Sequence, residues 1–276
     1  MIRPAGGGQS PEPGEQPDTE IAWDDVVDVI CVGSDPGPVA HAIAAAGSGL
    51  RVLVVARPDV WDTDTAAYIA EMTAELPELA EGPAVAVTLG RAIDAQPARG
   101  RVIDTFEGAR LGEFAAQCWA SPLGVLYTDV YPPAALGATP MRTGADLRIE
   151  AIVIGTCAPD CAPADWLAAR ALDDGIRPDR DVMWTRVVVE FGRVAGVELD
   201  SASGPVLVRA MEGVALPTAR HSLDPPAQPG LPAAEVAIVG LAAGRFSRVE
   251  LLVADHCCGM RKDRNPELGA PDGLGP

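Results

Sequence analysis

The chain has 276 residues, enough for one large domain or two small ones at roughly 100–200 residues each. Hydrophobic residues make up 48% of it and aromatics only 4%, so a sizeable core can form, built from Val, Ala and Leu. The formal net charge of −18 argues against a nucleic-acid or anionic-membrane partner, whose phosphates would be repelled.

No stretch reaches the ~18 apolar residues of a membrane span. The opening, MIRPAGGGQSPEPGEQPDTE, has no apolar run behind its one arginine, so a cytoplasmic protein is expected. Residues 1–22 are rich in Gly, Pro and Glu and read as a disordered tail, as do residues 256–276. Residues 23–255 are expected to form a single domain, with 105–184 as a helical insertion.

Val26–Val32 is an apolar run with β-branched residues, suited to a strand buried on both faces. Pro36–Ala46 reads as a small-residue helix, which Gly47 and Gly49 can end with a left-handed cap. Arg51–Val55 is a second buried strand. A strand, a helix and a strand within about 30 residues is the βαβ unit of a parallel sheet. Residues 64–80 read as helical until Pro77 bends or ends the run. Val85–Leu89 and Gly100–Asp104 are candidate short strands. Leu111–Trp119 is a helix with Leu111, Phe114, Ala115 and Cys118 on one face, and it simplest packs on the sheet. Ala164–Asp173 is another helix, with Asp165 near its positive end. Thr185–Glu190 and Val194–Leu199 flank Phe191-Gly192-Arg193, a hairpin turn. Val206–Glu212 continues that meander, and Val214–Leu216 and Val236–Val239 are short buried strands.

The run Val29-Ile30-Cys31-Val32-Gly33-Ser34-Asp35-Pro36-Gly37-Pro38, followed by Leu50–Arg57, resembles the opening of FAD-dependent flavoproteins of the fumarate reductase and 3-ketosteroid dehydrogenase class. Gly192–Leu199, Val206–Ala210 and Gly213–Ala219 are similar to that family's β-meander. The resemblance implies a degenerate, truncated relative. Its fold class would be α/β, a Rossmann-like FAD-domain core with a parallel sheet and a βαβ start. An antiparallel meander would follow, with the cap domain reduced or absent.

Aligned on Gly33, the family's G-x-G-x-x-G becomes G-S-D-P-G-P. In a working loop the first glycine permits the tight turn, the second lets backbone approach the pyrophosphate, and the third lets helix and strand pack closely. Gly33 keeps the first role. Asp35 puts a carboxylate where phosphate charge would sit, at about 4 kcal/mol per like-charge contact at ~4 Å and an effective dielectric of ~20. Pro36 and Pro38 lack the N–H groups by which a helix start binds phosphate. Gly37 falls at a position the motif does not specify. Ala56 replaces the acid that would hold the ribose, and Arg57 beside it is either a solvated arginine or a phosphate contact of the NADP kind. The cofactor-binding positions implied by the resemblance are thus Gly33, Ser34, Asp35, Gly37, Ala56 and Arg57, in vestigial form.

Other chemistry is sparse. Cys157, Cys161, His256, Cys257 and Cys258 offer soft metal ligands at loosely zinc-like spacing, but scattered free cysteines are the plainer reading. His41 lies among alanines as a packing residue. His221, Ser222 and Asp224 are too local to form a triad, whose members come from separate loops. Two functions remain in view. One is an eroded dinucleotide scaffold with no bound cofactor, acting by binding as a partner subunit or regulator. The other is an FAD-dependent oxidoreductase completed by a second chain. A reductase of the NADP type using Arg57 is a third, weaker reading.

Overall fold

A computed structural model describes residues 21–77, 86–93, 105–130, 136–159, 162–218, 233–242 and 244–254. The expected tails, the candidate strand at 100–104, and Cys161, His221, Ser222, Asp224, His256, Cys257 and Cys258 lie outside the described residues.

The chain opens with β1 (Asp25–Val32), α1 (Pro36–Gly47) and β2 (Val52–Val55), and β1 and β2 pair in parallel from Val29↔Val52 to Val32↔Val55. Val29 and Cys31 enter one core cluster, Ile30 and Val32 the other. Both faces of β1 are therefore buried, which is why its apolar run is continuous instead of alternating. A Schellman arrangement ends α1. Gly49, at φ +81°, donates its N–H to Ala46 O, and the Leu50 N–H reaches Ala45 O. Gly47 is still helical, so Gly49 alone takes the left-handed position.

Next come α2 (Thr63–Thr73), β3 (Ala86–Ala92), α3 (Thr105–Trp119), β4 (Gly124–Tyr127), β5 (Thr139–Thr143), β6 (Arg148–Cys157) and α4 (Pro163–Asp173). The Asp62 carboxylate caps α2 by accepting from Asp64 N and Thr65 N. It also accepts from Trp184 Nε1 at 3.1 Å. Burial alone would raise its pKa, but hydrogen bonds from Thr65, Trp184 and Asp64 hold it below the ordinary value. Five strands follow: β7 (Val182–Glu190), β8 (Arg193–Ser201), β9 (Gly204–Pro217), β10 (Ala234–Gly240) and β11 (Phe246–Ala254).

These strands form one curled, mixed sheet. The expectation of a parallel sheet needs correction. Among the described strands only β1–β2, β1–β9 and β11–β3 pair in parallel, and the remaining ladders are antiparallel. Strands β7, β8 and β9 form the meander. The pairings β10–β6, β6–β5, β5–β3, β3–β11 and β11–β10 return to their starting strand, so these strands close a ring. Closure removes free edges that would otherwise need covering.

The helical reading of 105–184 is corrected as well. That segment holds α3 and α4, but also β4, β5 and β6, which hydrogen-bond into the main sheet. Residues 206–216, expected as two strands, are one strand, β9. Met211 and Glu212 bulge between the pairs Val27↔Ala210 and Val29↔Gly213, and Gly213, at φ +107°, carries the chain past the bulge. No described helix is long and apolar enough to cross a membrane.

Helices α1 and α4 supply Ala40, Ala42, Ile43, Leu167 and Ala171 to one core cluster. The second gathers Phe114, Ala115 and Cys118 of α3 with Val187, Val197 and Val208 of the meander. Phe114, Ala115 and Cys118 thus face the sheet, with Leu111 partly buried against the same cluster.

Candidate functional site

The turn after β1 is made by Gly33, whose φ of +92° few side chains could adopt. Its N–H donates to Val55 O at 2.8 Å, tying the turn to the end of β2. Asp35 sits at the N-cap of α1 in extended conformation, yet its side chain makes no capping hydrogen bond. Its carboxylate instead lies across Gly33, where a Cβ would stand 2.8 Å from Asp35 Oδ2 and 3.2 Å from Arg57 Cβ. Asp35 is 9% exposed, and Arg57 Nη1 reaches its Oδ2 at 3.5 Å. The Arg57 guanidinium also lies 5.8 Å from the Trp61 ring centroid, within cation–π range.

The two departures from the family motif, read separately in the sequence, are therefore partners. Arg57 is neither a solvated strand-end arginine nor an open phosphate contact, because it is the counter-ion of Asp35. Ser34 and Ala56 are both exposed.

The helix start is equally specific. Pro36 and Pro38 take the first and third positions of α1, and the Val39 N–H is spent on Asp35 O at 3.1 Å. Gly37 supplies the only N–H among the first three helical residues. Gly37 is not the unspecified position the motif made it. A Cβ there would lie 2.3 Å from the Gly124 carbonyl oxygen, so this glycine lets α1 seat on the start of β4. A helix–strand close approach exists, but on a different residue and strand from those the motif implies.

The turn after the meander is closed too. Thr218 is 2% exposed, and its hydroxyl lies 3.2 Å from the Cys118 carbonyl and 3.1 Å from the Ser121 carbonyl, to which it donates.

Two buried polar clusters were not legible as such in the sequence. In one, the Tyr127 hydroxyl stands 3.1 Å from His41 Nδ1 and 3.0 Å from Ser247 Oγ. His41 is 2% and Ser247 0% exposed, and burial lowers the imidazole pKa to about 3. His41 is thus a neutral, packed histidine. In the other, Glu250 (2% exposed) accepts from Arg248 Nε at 2.6 Å and from the Thr88 hydroxyl. Arg248 stacks over Phe114 at 5.4 Å. Arg248 and Glu250 at i and i+2 in an apolar run mark a polar stripe on one strand face, a signal that could have been read. Both oxygens of Glu250 are satisfied within the protein, so this cluster holds the core together.

Cys31, Cys118 and Cys157 are buried free thiols, and burial raises the pKa of Cys31 and of Cys118. Among the described residues no group of three His, Cys, Asp or Glu could hold a metal ion.

No protein-family model and no curated protein sequence matches the chain. Solved structures do. A 3-ketosteroid-Δ4-(5α)-dehydrogenase from Rhodococcus jostii RHA1, in complex with 4-androstene-3,17-dione, aligns at TM-score 0.30 and 19% identity over 72% of this chain and 47% of its own. A geranylgeranyl bacteriochlorophyll reductase-like protein from Thermoplasma acidophilum aligns at TM-score 0.26 and 16% identity over 67% and 38%. A myxobacterial chondrochloren halogenase, described as a variant of FAD-dependent halogenases, aligns at TM-score 0.26 and 15% identity over 67% and 36%. The chain spans less than half the length of each of these. Likeness at this level fixes neither family nor activity.

Proposed function

We propose that this chain is a dinucleotide-type scaffold that acts by binding a partner protein, as a subunit or regulator, and not by redox catalysis. The observation that supports this reading is the Asp35–Arg57 pair lying across the Gly33 turn. A pyrophosphate brought to that turn would meet a carboxylate, and the helix start behind it has two prolines in place of donors. The residues present do not fit the pyrophosphate of FAD. The charge of −18 speaks against nucleic acid as the partner.

A second reading, an FAD-dependent oxidoreductase completed by another chain, is favoured by one arrangement. Strand β1 pairs in parallel with β2 on one side and with β9, the last strand of the meander, on the other. That is the layout the resemblance in sequence implies.

One experiment separates the two. The full-length protein is incubated with a few equivalents of FAD, desalted and examined for flavin absorbance. A colourless protein is expected, and flavin retained in equimolar amount would overturn the binding reading. Any weak FAD affinity should rise about tenfold or more in Asp35→Gly, which removes a like charge and frees Arg57 for phosphate. An unchanged affinity would show that the carboxylate is not what opposes the cofactor.

A further inference from the structure

We infer that the cleft between α2 and the β7–β8 hairpin is a binding site for a small monocarboxylate with an apolar body. The cleft has a volume of about 700 Å³, inside the roughly 300–1,000 Å³ range of small-molecule sites. It shares no lining residue with the Gly33 loop, so the inference stands whether or not that loop binds a nucleotide.

Three arginines line the cleft, and their pairing differs. Arg186 is held by Glu198 at 2.8 Å and by Asp64 at 3.5 Å. Arg193 is paired with Asp129. Arg245 is half-buried, and its Nη1 donates to the Tyr68 hydroxyl at 3.0 Å and to Thr128 O at 2.8 Å. Among the described residues it makes no ion pair. It is a half-buried guanidinium with no carboxylate in direct contact among the described residues, while Asp129 and Glu71 lie close enough to act on the Tyr68 hydroxyl that it holds. An anion entering the cleft would supply its counter-ion.

The surroundings narrow the anion. A guanidinium fork matches a planar carboxylate through two parallel hydrogen bonds. Asp64 and Glu71 also line the cleft and would repel a dianion more strongly than a monoanion. Ile21, Met72 and the exposed Val189 give the remaining wall an apolar surface for the body of the ligand, with the core residues Val187 and Val194 behind it.

Isothermal titration of the full-length protein with decanoate tests this, with decanamide and decyl phosphate as comparison ligands. Decanoate is expected to bind one to one, and decanamide about tenfold more weakly or worse, since one charge-assisted pair is lost. Arg245→Gln should bring decanoate down to the level of decanamide. Because Arg245 also holds Tyr68 and Thr128, Ala67→Phe serves as the second variant. Ala67 is exposed and lines the cleft, so a phenyl group there fills the site without entering the core. It should abolish binding at an unchanged Tm. The inference is overturned if decanoate shows no saturable binding, binds no better than decanamide, binds more weakly than decyl phosphate, or binds Ala67→Phe as it binds the parent.

Discussion

At 2% exposure, with Tyr127 against its ring at 4.7 Å between centroids, the His41 imidazole has lost the water that would solvate its charged form. Burial lowers its pKa from 6.5 to about 3. Between those two values the unfolded chain binds a proton that the folded chain does not, so stability falls as the pH falls. The slope for this one group is about 1.4 kcal/mol per pH unit, with no contribution above the unfolded value. Urea unfolding at pH 7 and pH 5 should therefore show a loss of roughly 2 kcal/mol from His41, beyond the carboxylate background. His41→Gln should remove that increment while lowering stability at pH 7; an unchanged pH dependence would show that His41 protonates freely in the fold. The residue type and its alanine neighbours were legible in the sequence. Its surroundings were not, because Tyr127 lies 86 residues along the chain and Ser247, which the Tyr127 hydroxyl meets, a further 120. Asp35 and Arg57 show the same limit. Each was legible as a departure from a motif, but their pairing needed the turn at Gly33 and the end of β2 to be set side by side.

Elements were most legible where backbone chemistry is local. The β7–β8 hairpin turns at Phe191 (φ +51°) and Gly192 (φ +74°), two consecutive left-handed residues of the type I′ kind. Glycine accepts that conformation readily, whereas phenylalanine is strained in it, and Phe191 is 76% exposed with little packing to compensate. Phe191→Asn should raise stability by roughly 1 kcal/mol, read as a higher Tm. A lower Tm would mean that the exposed ring contributes more than the turn loses. Gly37 is the opposite case, since its backbone is ordinary and its role lies wholly in contact. Gly37→Ala places a Cβ 2.3 Å from a carbonyl oxygen of β4, and both are backbone-anchored, so α1 must move. The expected loss is roughly 2–4 kcal/mol in urea unfolding. No local pattern marks such a glycine, which is why the motif assigned it nothing. Strand β11 was missed for a related reason. Its Arg248 and Glu250 break the apolar run that would announce a buried strand, and only the Arg248–Glu250–Thr88 contacts make them acceptable there.

At the scale of the molecule, β11 is the strand on which the sheet depends. It pairs with β10 along one edge and with β4 and β3 along the other, joining the ring to the β4–β9–β1–β2 arm. A chain stopped before Phe246 should lose cooperative unfolding altogether, as followed by circular dichroism on heating. A cooperative transition in that truncated chain would show that the arm folds by itself. By itself the sequence determined the β1–α1–β2 unit, the left-handed glycine end of α1, the Phe191–Gly192 hairpin and the meander. Each of these is set by apolar periodicity or by a residue's own φ preference within a few positions. Only the tertiary structure decided that the sheet is mixed and curled into a ring, that β4, β5 and β6 belong to it, and that Arg57 neutralises Asp35. Those outcomes rest on hydrogen bonds and charges brought together across tens to hundreds of residues, and a contact of that kind leaves no period in the chain to be read.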